Sequence, residues 1–142
     1  MSEVVWLVDY EGVQKIDQAR IPANARLKVF IGTKQNKLPT ELVKLREALG
    51  GRFEWTWING TAGNALDFHI ACHLGECLVR TQEAEFLVLS KDKGFDPLLR
   101  HLKSRGIKCR RDGQDKQVKP AAKAAFFWQR GRVTLELAEC QD

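Results

Sequence analysis

The chain has 142 residues, 44% of them hydrophobic, and a formal net charge of +5, the size and composition of one compact domain that buries its own core. No apolar run approaches the roughly 18 residues that span a bilayer, and no charged-then-apolar leader opens the chain, so a soluble, cytoplasmic protein without a membrane partner is expected. Cys72, Cys77, Cys109 and Cys140 form no CxxC pair, which fits free thiols in a reducing compartment and excludes a disulfide scaffold. The charge is uneven: Arg100 to Arg132 hold 11 Lys or Arg against Asp112 and Asp115, whereas residues 1–99 are close to neutral. A basic segment beside an acidic one suits a polyanionic substrate.

The elements follow in chain order. Val4 to Val8 is a continuous β-branched and aromatic run, the pattern of a central parallel strand covered on both faces, and Asp9 closes it. Residues 13–19 predict a short first helix. Leu27 to Ile31 reads as a second buried strand, and Lys34, Gln35 and Lys37 fall in the loop after it. Leu38, Leu42, Leu45 and Leu49 have helical spacing, with Pro39 suited to the first turn and Gly50-Gly51 to the stop. Phe53, Trp55 and Trp57 alternate with Glu54 and Thr56, which predicts a strand with one wetter face near a sheet edge.

Gly60-Thr61-Ala62-Gly63 precedes a helix but lacks the Walker lysine and the dinucleotide glycine spacing, so it is a weak phosphate signal. Leu66, Ile70, Leu74 and Leu78 mark the next helix, with Asn64 placed to cap it and Asp67 in its first turn. On this helix Cys72 shares no face with His69 and His73, and Cys77 lies in the apolar stripe, so these four read as packing residues and not as zinc ligands. Phe86 to Leu89 is a fourth buried strand. Asp92 is placed to cap the following turn, and Phe95, Leu98, Leu99 and Leu102 form a third helical stripe ending before Gly106. Ile107 to Cys109 reads as a short last strand, Arg110 to Lys119 as a polar loop, residues 120–129 as a helix and Arg132 to Leu137 as a strand.

Alternating strands and helices with short links predict an α/β fold, a three-layer α/β/α sandwich with a mainly parallel central sheet. Residues 1–111 would form this domain, and 112–142 a basic C-terminal extension packed on it or exchanged from it. Ligands of such sheets bind beyond the carboxyl ends of the strands, where strand order reverses. Asp9 and Asp92 each follow a buried strand, and Glu11 lies two residues beyond Asp9. Capping explains Asp67, Asp92 and Asp96 one at a time. Four acids at element ends explain each other better if they share a divalent cation such as Mg2+ or Mn2+, since hard cations take oxygen ligands and an unpaired buried charge is costly.

The segments LVDYEGV, NALDFHIA and LVLSKDKGFDPLL, in this order over about residues 3–111, resemble the PIN-like nuclease superfamily, particularly its NYN branch. Gly12 stands where related proteins often carry Asn, and the second acid of the Ser-x-Asp turn is displaced to Asp96, one helical turn beyond Asp92 and on its face. The resemblance implies a metal-dependent endoribonuclease in which Asp9, Asp67, Asp92 and Asp96 bind the metal and Glu11 positions water from the second rank. Ser90 would bond a ligand or a phosphate. Lys34, Gln35, Lys37, Lys91, Lys93, Arg110 and Arg111 are candidate contacts to RNA, single-stranded or structured.

A second class is a catalytically weak RNA-binding or protein-interaction module that uses the basic C-terminal segment and Trp128. Phe126-Phe127-Trp128 also reads as core or as a contact within a homo-oligomer. A phosphoacceptor or phosphatase domain ranks last, because Asp9-Tyr10-Glu11 lacks the paired acids or Asp-x-Asp arrangement such sites need.

Overall fold

The computed structural model describes residues 3–33, 35, 37–59, 64–81 and 83–113, and the backbone of 125–129 and 132–136. The chain divides into two compact units, Met1–Asp112 and Gly113–Asp142.

The first unit contains β1 (Val4–Asp9), β2 (Ala25–Ile31), α1 (Thr40–Leu49), β3 (Phe53–Trp57), α2 (Ala65–Arg80), β4 (Glu85–Leu89), α3 (Asp96–Ser104) and β5 (Lys108–Asp112). The five strands form one all-parallel sheet in the order β3-β2-β1-β4-β5. The chain therefore builds outward from β1 in one direction, then returns to its other side with β4. This reversal puts the topological switch point between β1 and β4.

Continuous apolar strands are explained by burial on both faces. Val5 and Leu7 of β1, with Phe30, Phe86, Val88 and Cys109, meet Leu66, Ile70 and Leu74 of α2 and Leu99 and Leu102 of α3. On the other face Trp6, Val8, Leu27, Val29, Ile31, Leu87 and Leu89 meet Leu42, Leu45 and Leu49 of α1 and Val13 from the β1–β2 connection, with Ile16 and Ile21 packed against them. The layers are thus α2 and α3 on one side and α1 with an irregular segment on the other. Gly50 closes α1 with φ +58°, a backbone region that a Cβ disfavours.

Three expectations are corrected. Residues 13–19 form no helix beyond a single 3-10 turn at Gln18–Arg20, capped by Asp17 Oδ1 accepting from Ala19 N (3.0 Å). Val13 is consumed by the core, which fixes this segment without helical bonding. The last strand of the sheet runs on through Asp112 because Arg110 and Arg111 continue the ladder with Leu87 and Val88, so the polar loop starts later. In the second unit the chain is extended and not helical at β6 (Ala125–Gln129), which pairs antiparallel with β7 (Arg132–Glu136). The aromatic trio within 125–129 has high strand propensity, which outweighs the helical look of the Ala-Lys run before it. The rest of 114–124 lies outside the described residues.

Candidate active site

The site is built at the carboxyl end of the sheet, at the switch point. Asp9, the last residue of β1, is 6% exposed, and Ser90, the first residue after β4, is fully buried. Ser90 Oγ donates to Asp9 Oδ2 (2.8 Å), while Asp9 Oδ1 accepts from the backbone N–H groups of Glu11 (3.1 Å) and Gly12 (3.2 Å). A buried carboxylate with three donors has its hydrogen-bonding needs met and is fixed in orientation. Ser90 is committed with every polar atom: its N–H donates to Asp112 O (3.1 Å), its carbonyl accepts from Arg111 Nη1 (3.0 Å), and its Oγ accepts from Asp92 N (3.0 Å). One buried hydroxyl therefore sets the positions of both Asp9 and Asp92.

Asp92 begins the 3-10 turn Lys93–Phe95, and its Oδ1 accepts from Gly94 N (2.8 Å). Asp67 lies in the first turn of α2, which starts at the same end of the sheet. Asn64 occupies the N-cap position there without the expected side-chain bond. The Asp67 and Asp92 carboxyls share a hydrogen bond. Burial, that bond, and the charges of Asp92, Asp9 and Glu11 together push Asp67 up to about 7. Asp92 moves the other way, lowered by its bond from Asp67, by Gly94 N–H and by the nearby Arg111 charge. The two carboxyls therefore titrate as a coupled pair, with Asp67 the member pushed up and Asp92 the member pushed down.

The remaining site residues separate. Glu11 lies over Gly32, just past β2: a Cβ on Gly32 would collide with the Glu11 carboxylate. The role of Gly32 escapes a reading of spacing, and its only trace in the sequence is a glycine directly after a buried strand. Asp96, expected as a ligand with Asp92, is paired with Arg111. Its Oδ1 accepts from Arg111 Nε (2.8 Å), and this guanidinium holds its carboxyl below the usual range. Arg111 is thereby fixed between α3 and the Ser90 carbonyl, a brace and not an open phosphate contact. Arg110 is exposed, with its guanidinium 3.9 Å from Asp112. Asp112 in turn holds Arg20 at 2.7 Å.

Lys91 and Lys93 are exposed beside Asp92, and Lys37 is exposed after β2. Gln35 is used locally, its Nε2 donating to Lys37 O (2.8 Å) and its Oε1 accepting from Gln14 Nε2 (3.3 Å). Lys34 and the Gly60-Gly63 loop lie outside the described residues. His69 is exposed and bonded to Ala65 O (2.8 Å), whereas His73 packs edge-on against the Phe30 ring.

Among the described residues, no three His, Cys, Asp or Glu side chains converge into a ready-made metal cage. The chemistry of the group nevertheless fits a hard divalent cation. The donors are all carboxylate oxygens, Asp9, Glu11 and Asp92 all act on Asp67, and a proton between Asp67 and Asp92 relieves repulsion that a cation would relieve more fully. The PIN domain family matches residues 3–112, and the chain is a PIN-domain protein. No curated protein matches the chain, and no solved structure does.

Proposed function

We propose that this PIN domain is a metal-dependent endoribonuclease of the NYN type. The observation that carries the proposal is the gathering of Asp9, Glu11, Asp67 and Asp92 at the switch point, where burial first, then the bond to Asp92 and the neighbouring carboxylates, raise Asp67 to about 7. Asp9, Asp67 and Asp92 would hold Mg2+ or Mn2+, with Glu11 beside them. A bound ion supplies Lewis acidity, lowering the pKa of water and neutralising charge that develops on the phosphate.

The protein's own groups do the rest. Ser90 and two backbone N–H groups keep the Asp9 carboxylate aimed. Asp67 would bind the ion as a carboxylate, so its proton would be released to solvent. Glu11, near Gly32, would position water beside the metal ligands. Lys91, Lys93 and Lys37 attract the backbone of the RNA toward this end of the sheet. Asp96 supports the site indirectly, by fixing Arg111 against the Ser90 carbonyl. The choice of RNA rests on the likeness of LVDYEGV, NALDFHIA and LVLSKDKGFDPLL to the NYN branch.

The test is a pool of single-stranded and structured RNA incubated with wild type and Asp92→Asn, in magnesium, manganese or chelator. Cleavage by wild type that needs a metal and is lost in the variant supports the reading and gives the substrate class. Binding without cleavage under every condition replaces the nuclease by an RNA-binding module.

A further inference from the structure

β3 is an edge strand, and on it Phe53, Trp55 and Trp57 alternate with Glu54 and Thr56, so the three aromatics share the α1 face of the sheet. They form a graded ladder. Phe53 is buried and meets Trp55 edge-on, with centroids 4.8 Å apart; Trp55 is half-buried and stacks on Trp57 at 6.1 Å and 30°. Trp57 is 57% exposed. An indole that folding alone required would sit in the core, as Trp6 does at 4% exposure. Trp57 is instead held from below by a second ring and offers its surface outward.

Its place in the register gives this surface a use. Trp57 pairs with Ile31, the last residue of β2, and Tyr10 N donates to Phe30 O (3.1 Å), so Trp57 stands level with the chain just past Asp9. Two strand spacings, about 10 Å, separate the two backbones. Between them lies Ile31, and Gly32, which Glu11 approaches, is one residue further on. The exposed Lys37 follows β2 at the same end of the sheet.

We infer that Trp57 is a stacking platform for an unpaired nucleobase of the nucleic acid cut at the carboxylate group. Nucleobases stack on indole regardless of sequence, and a base can reach a side-chain platform only when it is splayed out of a duplex. The inference rests on the proposed nuclease function and adds its substrate class: a single strand, or an unpaired loop, that passes over the end of β2 from the carboxylate group on the α2 face to Trp57 on the α1 face. Sequence preference at that position is weak, because the platform reads a π face and not a hydrogen-bonding edge.

Binding of a labelled single-stranded oligoribonucleotide to the full chain, followed by fluorescence anisotropy in chelator so that no cleavage intervenes, tests this. The proteins are wild type, Trp57→Ala and Trp57→Phe, and a second set of oligomers carries single abasic positions. Trp57→Ala is expected to weaken binding about 5-fold to 100-fold with an unchanged salt slope, while Trp57→Phe keeps most of the affinity. One abasic position should weaken wild type alone, leaving Trp57→Ala indifferent. Trp57→Ala binding like wild type, or abasic and intact oligomers binding equally, overturns the inference and leaves the nuclease reading standing. A shift in oligomeric state on Trp57→Ala, with affinity for RNA unchanged, also overturns it and makes the ladder a protein contact. Wild type that neither binds nor cleaves RNA removes the inference together with the function beneath it.

Discussion

Replacing Ser90 with Ala removes one oxygen from a fully buried position and isolates what the site network contributes. The hydroxyl donates to Asp9 Oδ2 at 2.8 Å and accepts from Asp92 N at 3.0 Å. The first is a bond to a charged group that is only 6% exposed, and such bonds contribute about 1.5–3 kcal/mol. The second is a part-buried backbone donor that water can partly satisfy, so its loss adds about 0.5 kcal/mol. Ser90→Ala should therefore lower stability by about 2–3.5 kcal/mol, or roughly 8–14 °C in Tm for a domain of this size. Urea unfolding of the metal-free protein at neutral pH measures it, and a double-mutant cycle with Asp9→Asn should return about 1–2 kcal/mol of coupling between the two sites. A Ser90→Ala midpoint within about 0.5 kcal/mol of wild type would refute the network as the element that fixes Asp9 and Asp92.

Other outcomes follow from the same geometry. Asp67 is raised from 3.8 to about 7, so between those values the folded protein binds a proton that the unfolded chain has lost. Its contribution is full below about pH 4 and disappears as pH rises through about 7, so metal-free stability should fall over that window and Asp67→Asn should flatten the fall; parallel profiles for the two proteins would exclude the crowding. Asp96→Asn should reduce cleavage far less than Asp92→Asn, because Asp96 serves Arg111; equal losses in steady-state rates would return Asp96 to the ligand set. Gly32→Ala should displace the Glu11 carboxylate and reproduce most of the rate loss of Glu11→Gln at nearly unchanged Tm, whereas wild-type rates in Gly32→Ala would show that Glu11 needs no fixed seat.

The architecture was legible because each strand of the first unit carries its own signal: unbroken apolar runs in β1, β2 and β4, and alternation in β3. Those patterns report burial, and burial on both faces implies helices on both sides. Less visible was the segment after β1, where Val13, Ile16 and Ile21 dock on the sheet at irregular spacing and so imitate a helix without forming one. Strand β6 misled for the opposite reason, since an Ala-Lys run beside three aromatics sets local helix propensity against strand pairing.

Within the site, Asp9, Asp67 and Asp92 could be placed from element ends, because strand ends and first helical turns are fixed by the pattern. Asp96 could not. Its spacing from Asp92 suggests a shared helical face, but Asp92 lies in a 3-10 turn before α3, and the strand extension that brings up Arg111 is invisible in the polar sequence after Cys109. Nor does spacing reveal that one serine would use every polar atom it has.

The most direct measurement is a titration of the metal-free protein with Mn2+ by calorimetry in buffers of different ionisation heat, on wild type, Asp9→Asn and Asp67→Asn. The account predicts saturable binding to wild type with proton release that declines as pH rises past about 7, and loss of that binding in both variants. Mn2+ binding left unchanged by either substitution, or no saturable binding to wild type, would contradict a metal centre at the end of β1.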